Sequence, residues 1–155
     1  MTMNVQLIKH NNVDGVILPI AYENKKWLEN VRRLTKQNKN IIINYWTNNY
    51  KFCEVKSGMR VFLVCYGTLV GTGVIDSQNK GNTIEECFNK YDVNNGIADN
   101  DTLIDFINMV NQAFATPKVL TKDDKLGCVL LKDVVIFEEK EWVILKNTNI
   151  RGTYY

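Results

Sequence analysis

From Lys25 onward the apolar residues Trp27, Leu28, Val31 and Leu34 recur at the spacing of one helix face, with Arg32, Arg33 and Lys36 on the other side. The pattern predicts an amphipathic helix with a basic outer face. It changes at Ile41-Ile42-Ile43-Asn44-Tyr45-Trp46, where β-branched and aromatic residues predict a strand, closed by a polar loop at Thr47-Asn48-Asn49. Lys56-Ser57-Gly58 makes a turn. Residues 60–66 are almost continuously apolar, as in a strand buried on both faces or lining a barrel interior. Gly67-Thr68 is a tight turn and residues 69–76 are the partner strand. Gly71 and Gly73 leave that strand without two side chains, which favours a bulge, a sharp bend or close approach of another group to the backbone.

Residues 77–96 are polar and show no clear period. Asp99 or Asp101 is placed to cap a helix carrying Leu103, Ile104, Ile107, Val110 and Phe114 on one face, which Thr116-Pro117 ends. Residues 128–137 form a last apolar run, broken by Lys132 and Asp133, and residues 142–145 suit a short strand. The asparagine pairs Asn11-Asn12, Asn48-Asn49 and Asn94-Asn95 punctuate these segments as turn formers. Without a repeat, a low-complexity linker or a second boundary, the expectation is one α+β domain over residues 1–155, built around a small, strongly curved sheet.

Composition agrees with a folded chain. At 155 residues, 45% hydrophobic and 23% charged, it lies in the usual range of a single globular domain, far from the corner where chains stay disordered. The formal charge is only +2, so any basic footprint must be local. Residues 25–39 hold six cations against Glu29 alone, whereas residues 99–105 are acidic. An anion-binding patch and a solvated helix face fit the basic run equally well. Cys53, Cys65, Cys87 and Cys128 are far apart, form no CxxC pair and have only His10 to complete a metal set. The expectation is reduced, structural cysteines, no metal and no cofactor. No charged amino-terminal segment precedes an apolar run, and no stretch approaches the ~18 residues of a membrane span. The location expected is the cytoplasm, away from membranes.

No catalytic motif is assembled in the sequence. His10 sits in a polar stretch with no nucleophile elbow beside it. The glycines from Gly67 to Gly73 join strands, and no GK[ST] follows them, so they do not make a phosphate-binding loop. The pairs Glu85-Glu86 and Asp123-Asp124 lie in polar segments where solvated charge accounts for them. The chain is read as a binding protein and not an enzyme.

The order of residues from Tyr45 to Asp76 resembles the PUA-like superfamily, and most closely its EVE branch, relatives of the YTH and ASCH domains. Gly58, Arg60, Val61, Phe62, Leu63, Gly71, Gly73 and Val74 match the family pattern, while Met59 stands where an aspartate is usual. Trp142 and Ile150-Arg151-Gly152 resemble the closing segment of EVE-like domains in modification-dependent restriction proteins. The resemblance implies a pseudo-barrel with flanking helices whose mouth accepts one base, such as a modified cytosine, turned out of a DNA or RNA strand. It implies a reader in a restriction or defence system, with cutting left to an effector nuclease in another domain or chain. An extruded base needs aromatic walls, polar groups for its pairing edge and cations for its flanking phosphates. Trp46 and Tyr45 with Thr47, Asn48 and Tyr66 are the expected base-binding set. Lys51, Arg60, Arg32, Arg33, Lys36 and Arg151 are the expected phosphate contacts. For Trp46 the alternative is packing in the core, for Arg60 an exposed strand start, and for Arg151 a tail position. Two rival functions are a small-ligand or nucleotide-binding module using the same aromatic pocket, and a nuclease or hydrolase whose carboxylates converge from separate loops.

Overall fold

The strand expected at residues 60–66 is one edge of a long hairpin in the computed structural model, which describes residues 6–10, 13–21, 24–48, 55–114, 116–145 and 152–154. In chain order the elements are β1 (Gln6–His10), β2 (Val13–Pro19), α1 (Lys25–Gln37), β3 (Ile43–Thr47), β4 (Arg60–Cys65) and β5 (Thr68–Thr83). They continue with α2 (Ile84–Tyr91), α3 (Leu103–Ala113), β6 (Lys125–Ile136), β7 (Val143–Ile144) and β8 (Gly152–Tyr154). The fold is mixed α+β. Its eight strands form one sheet in the order β3-β6-β5-β4-β2-β1-β8, with β7 paired to β5 off this path. No pair among the described residues joins the two ends of that order. The sheet is mixed because β2 runs parallel to β4, with Gly15 opposite Arg60, whereas the other pairs are antiparallel.

β5 is the spine. It pairs with β4 and β7 at its start and with β6 from Gly71 to Thr83, and the β6 register breaks at three places. Each break adds local twist and bends the sheet. Gly71 is required by close approach: a Cβ there would stand 2.6 Å from the Val135 carbonyl oxygen. β4 alternates, with Val61, Leu63 and Cys65 buried and Arg60 exposed, so it is not buried on both faces as its composition suggested.

The core lies where α1, α2 and α3 cover the β3-β6-β5 end of the sheet. α1 contributes Trp27, Leu28, Val31 and Leu34, as its periodicity predicted. α3 contributes Phe106, Val110 and Ala113, while Ile104, expected on its apolar face, is exposed. The α3 cap is Thr102, not Asp99 or Asp101; Asp101 instead accepts from the Ala98 amide at 2.8 Å. Thr102 and Asp105 form a capping box, and the Thr102 amide and hydroxyl hold the Asp105 carboxyl below the usual carboxylate range. Thr102→Ala is expected to cost about 1 kcal/mol. A carboxyl with a depressed folded-state pKa stabilises the fold above its unfolded value, and that contribution is lost as pH falls through the folded value. Thermal unfolding at neutral and acidic pH should therefore show a smaller acid sensitivity in the variant than in the parent; equal sensitivity would remove the box from the account.

Between β3, β6 and α2 the core is polar inside. Asn44 and Asn95 are both fully buried, and the Asn44 amide donates to Asn95 Oδ1 at 2.8 Å. Asn95 in turn donates to the Cys87 carbonyl at 2.9 Å. The Asn44 and Asn82 amides both donate to Cys128 Sγ, and Cys87 Sγ lies within hydrogen-bond distance of it at 3.0 Å. That hydrogen bond raises the Cys87 pKa and lowers that of Cys128. Cys65, Cys87 and Cys128 are buried; Cys53 lies outside the described residues.

Candidate nucleic-acid interface

Two of the three aromatic residues expected to wall a base slot, Tyr45 and Trp46, belong to the packed core. β3 is buried along its whole length. Trp46 is 3% exposed, meets Phe106 and Phe114 edge-on at 5.6 and 5.5 Å between ring centres, and donates from its indole N–H to the Asn95 carbonyl at 2.9 Å. Tyr45 is buried against Trp27 and donates to the Pro19 carbonyl at 2.6 Å; burial pushes its hydroxyl pKa up. Thr47 is buried beside them. Tyr66 is 57% exposed in the β4–β5 turn, at the start of β5, whereas Trp46 pairs with Cys128, which pairs with Asn79 near the other end of β5. One slot walled by Tyr45, Trp46 and Tyr66 is therefore not formed: β3 carries its aromatics into the helix layer, and the spine strand separates them from Tyr66. Asn48 does border a cleft of about 400 Å³, with Thr116, Leu120, Asp123, Asp124 and Lys125. Its two carboxylates make it a poor seat for a phosphate.

The expected phosphate contacts fare differently. Arg32 and Lys36 come together with Lys39 and Thr35 along one wall of a cleft of about 520 Å³. The opposite wall is Asp133, Val134, Val135 and Ile136 of β6, where Val135 is 53% exposed. The helix spacing of 32, 35 and 36 puts these side chains on one stripe, packing α1 over β6 turns that stripe toward the strand, and Lys39 joins them from the turn just past the end of the helix. Arg32 donates to the Phe137 carbonyl at 3.2 Å, and its buried Nε–H has no acceptor among the described residues. Such a donor costs about 1–3 kcal/mol unless something satisfies it. Lys36 pairs with Glu138 at 2.7 Å, and this bond holds the Glu138 carboxyl below its usual range. Arg33 is exposed and donates to Asn30 Oδ1 at 3.3 Å, so it stands beside the cleft without lining it.

Arg60 is exposed at the start of β4 and lines a second, smaller recess of about 230 Å³ with Val61, Phe62, Thr72, Gly73, Val74 and Asp133. Asp133 lines both cavities, which makes them neighbours on the surface. Lys51 and Arg151 lie outside the described residues. Lys39 and Asp133 were legible only as part of a basic run and as a charged interruption of an apolar strand. The interruption marks the place where the β5–β6 register breaks between Thr72 and Val74 and Asp133 adopts a φ of 52°.

Among the described residues no group of three or more histidine, cysteine or acidic side chains is arranged to hold a metal ion, and no helix is long and apolar enough to cross a membrane. No family model matches the chain, and no curated protein matches it.

Proposed function

We propose that this chain is a nucleic-acid-binding reader domain of the PUA-like, EVE type, which grips the backbone of a DNA or RNA strand along the α1–β6 cleft and accommodates a base, such as a modified cytosine, turned out of it. The observation that carries this reading is the cleft itself: Arg32, Lys36 and Lys39 converge over the apolar strip Val134 to Ile136. Cations for phosphate beside apolar surface for sugar or base is the pairing a single strand requires. The mixed bent sheet with helices against one end is the kind of scaffold the resemblance calls for. Any cutting of the strand belongs to an effector in another domain or chain.

Replacing Arg32, Arg33 and Lys36 together with Ser is expected to weaken binding of oligonucleotides and to flatten its salt dependence. Each lost phosphate contact should reduce the slope of log affinity against log salt by about one. The exposed Lys36–Glu138 pair contributes little to stability, so the variant should remain folded. Fluorescence titrations across a salt series test this, and an unchanged slope would remove α1 from the interface. The second reading, a nucleotide or small-ligand module, is favoured by the size of the cleft, which falls within the ~300–1,000 Å³ typical of ligand sites. It predicts binding of a free mononucleotide with affinity no weaker than that of a strand.

A further inference from the structure

The small recess beside the cleft has features that phosphate binding does not use. Asp133 holds a φ of 52° inside a strand, a left-handed conformation that Asp and Asn adopt more readily than other non-glycine residues. It sits where β6 bulges against β5, and the side chain makes no hydrogen bond or ion pair with the described residues although Arg60 lines the same recess. Among the described residues the carboxylate is thus an open acceptor at the junction of the two cavities. Phe62 supplies an aromatic wall, and its ring rests on bare backbone, because a Cβ on Gly15 of the neighbouring strand would come within 2.9 Å of it. Thr72 and Arg60 are the other polar residues that line it. At about 230 Å³ the recess is smaller than the usual drug-sized site and on the scale of one planar ring system.

We propose that this recess over β4, β5 and β6 is the seat of the extruded base, and that Asp133 selects bases carrying an exocyclic amino group, with the flanking phosphates lying across Arg32, Lys36 and Lys39. This rests on the nucleic-acid reading and deepens it. The carboxylate accepts a hydrogen bond from an amino group such as that of cytosine, whereas a thymine or uracil offers a carbonyl oxygen there and meets the charge unfavourably. Phe62 provides the stacking face, and Arg60 is placed for a base carbonyl or the adjoining phosphate.

The test compares matched oligo-dC and oligo-dT strands above neutral pH, across a salt series, with the parent protein, Asp133→Asn and Thr72→Val. Asparagine tolerates a positive φ, so Asp133→Asn is expected to fold, which its thermal unfolding verifies. The parent should prefer oligo-dC by roughly tenfold or more. Asp133→Asn should bring that ratio close to one while leaving the salt slope unchanged, since no phosphate contact is removed. Thr72→Val should retain most of the preference. Salt-dependent binding with equal affinity for both strands, or a preference that survives Asp133→Asn, would overturn the assignment of the recess while leaving the cleft reading intact. Binding of neither strand, nor of the matched oligo-C and oligo-U RNA strands, would overturn both.

Discussion

Trp46→Ala is expected to destabilise the protein by about 3–5 kcal/mol, the usual cost of emptying a tryptophan site in a packed core. The indole fills space between Phe106 and Phe114, at edge-on geometries that add to its area burial, and its N–H satisfies the Asn95 carbonyl. Truncation leaves a cavity and also strips that carbonyl of a partner in a region already crowded with buried amides. Small domains have total stabilities of only about 5–15 kcal/mol, so a substantial fraction of the variant should be unfolded at moderate urea where the parent is not. A urea titration followed by circular dichroism reads the shift in midpoint. A midpoint close to that of the parent, combined with loss of oligonucleotide binding, would reverse the assignment and return Trp46 to the ligand site.

Why the sequence pointed to the wrong tryptophan environment is itself physical. Thr47 and Asn48 follow Trp46, and a polar run after an aromatic strand end reads as an exposed loop. In the fold Thr47 is still strand and buried, and Asn44 is buried because it bonds to Asn95, a partner 51 residues away that no local pattern reveals. Asparagines that look like turn formers are here the polar interior of the core. The helix α1 was legible because four apolar positions at helical spacing decide its buried face, and the β4–β5 hairpin because Gly67 separates two apolar runs. β2 was missed: Val16, Ile17 and Leu18 are too short a run to separate strand from helix segment by period, and its pairing with β4 is parallel and distant. The polar half of β5 was missed as well, since its Ser, Gln and Asn residues take their place from the β6 ladder and not from β propensity. α2 did leave a signal, the Thr83–Glu86 capping box ahead of Ile84. Of the candidate site, the cations of α1 were readable as a stripe, but what faces them depends on how α1 crosses β6. The recess depends on a bulge that only Lys132-Asp133 hints at.

The loop that seats Trp27 should be as intolerant of an added atom as β3 is of a lost one. Gly96 follows the short 3₁₀ turn Asp92–Asn95 with φ 79° and ψ 27°, and its carbonyl accepts from the Asn30 side chain of α1 at 2.8 Å. A Cβ built there would stand 2.3 Å from Trp27 Cδ1 and 2.8 Å from Cγ and Nε1. Trp27 has little room to move: it is 1% exposed, packs edge-on against Tyr45 and donates to the Asn44 carbonyl at 3.3 Å. Gly96→Ala is therefore expected to combine the roughly 1–2 kcal/mol cost of a left-handed non-glycine residue with about 1–3 kcal/mol of overpacking. Gly58→Ala supplies the comparison, because Gly58 also has a positive φ, 89°, yet a Cβ there would meet nothing within 4 Å. That variant should lose only the conformational part. Urea midpoints of the two variants measured side by side isolate the clash, and equal losses would mean that Trp27 yields at no cost, contrary to the packing described for α1 against β3.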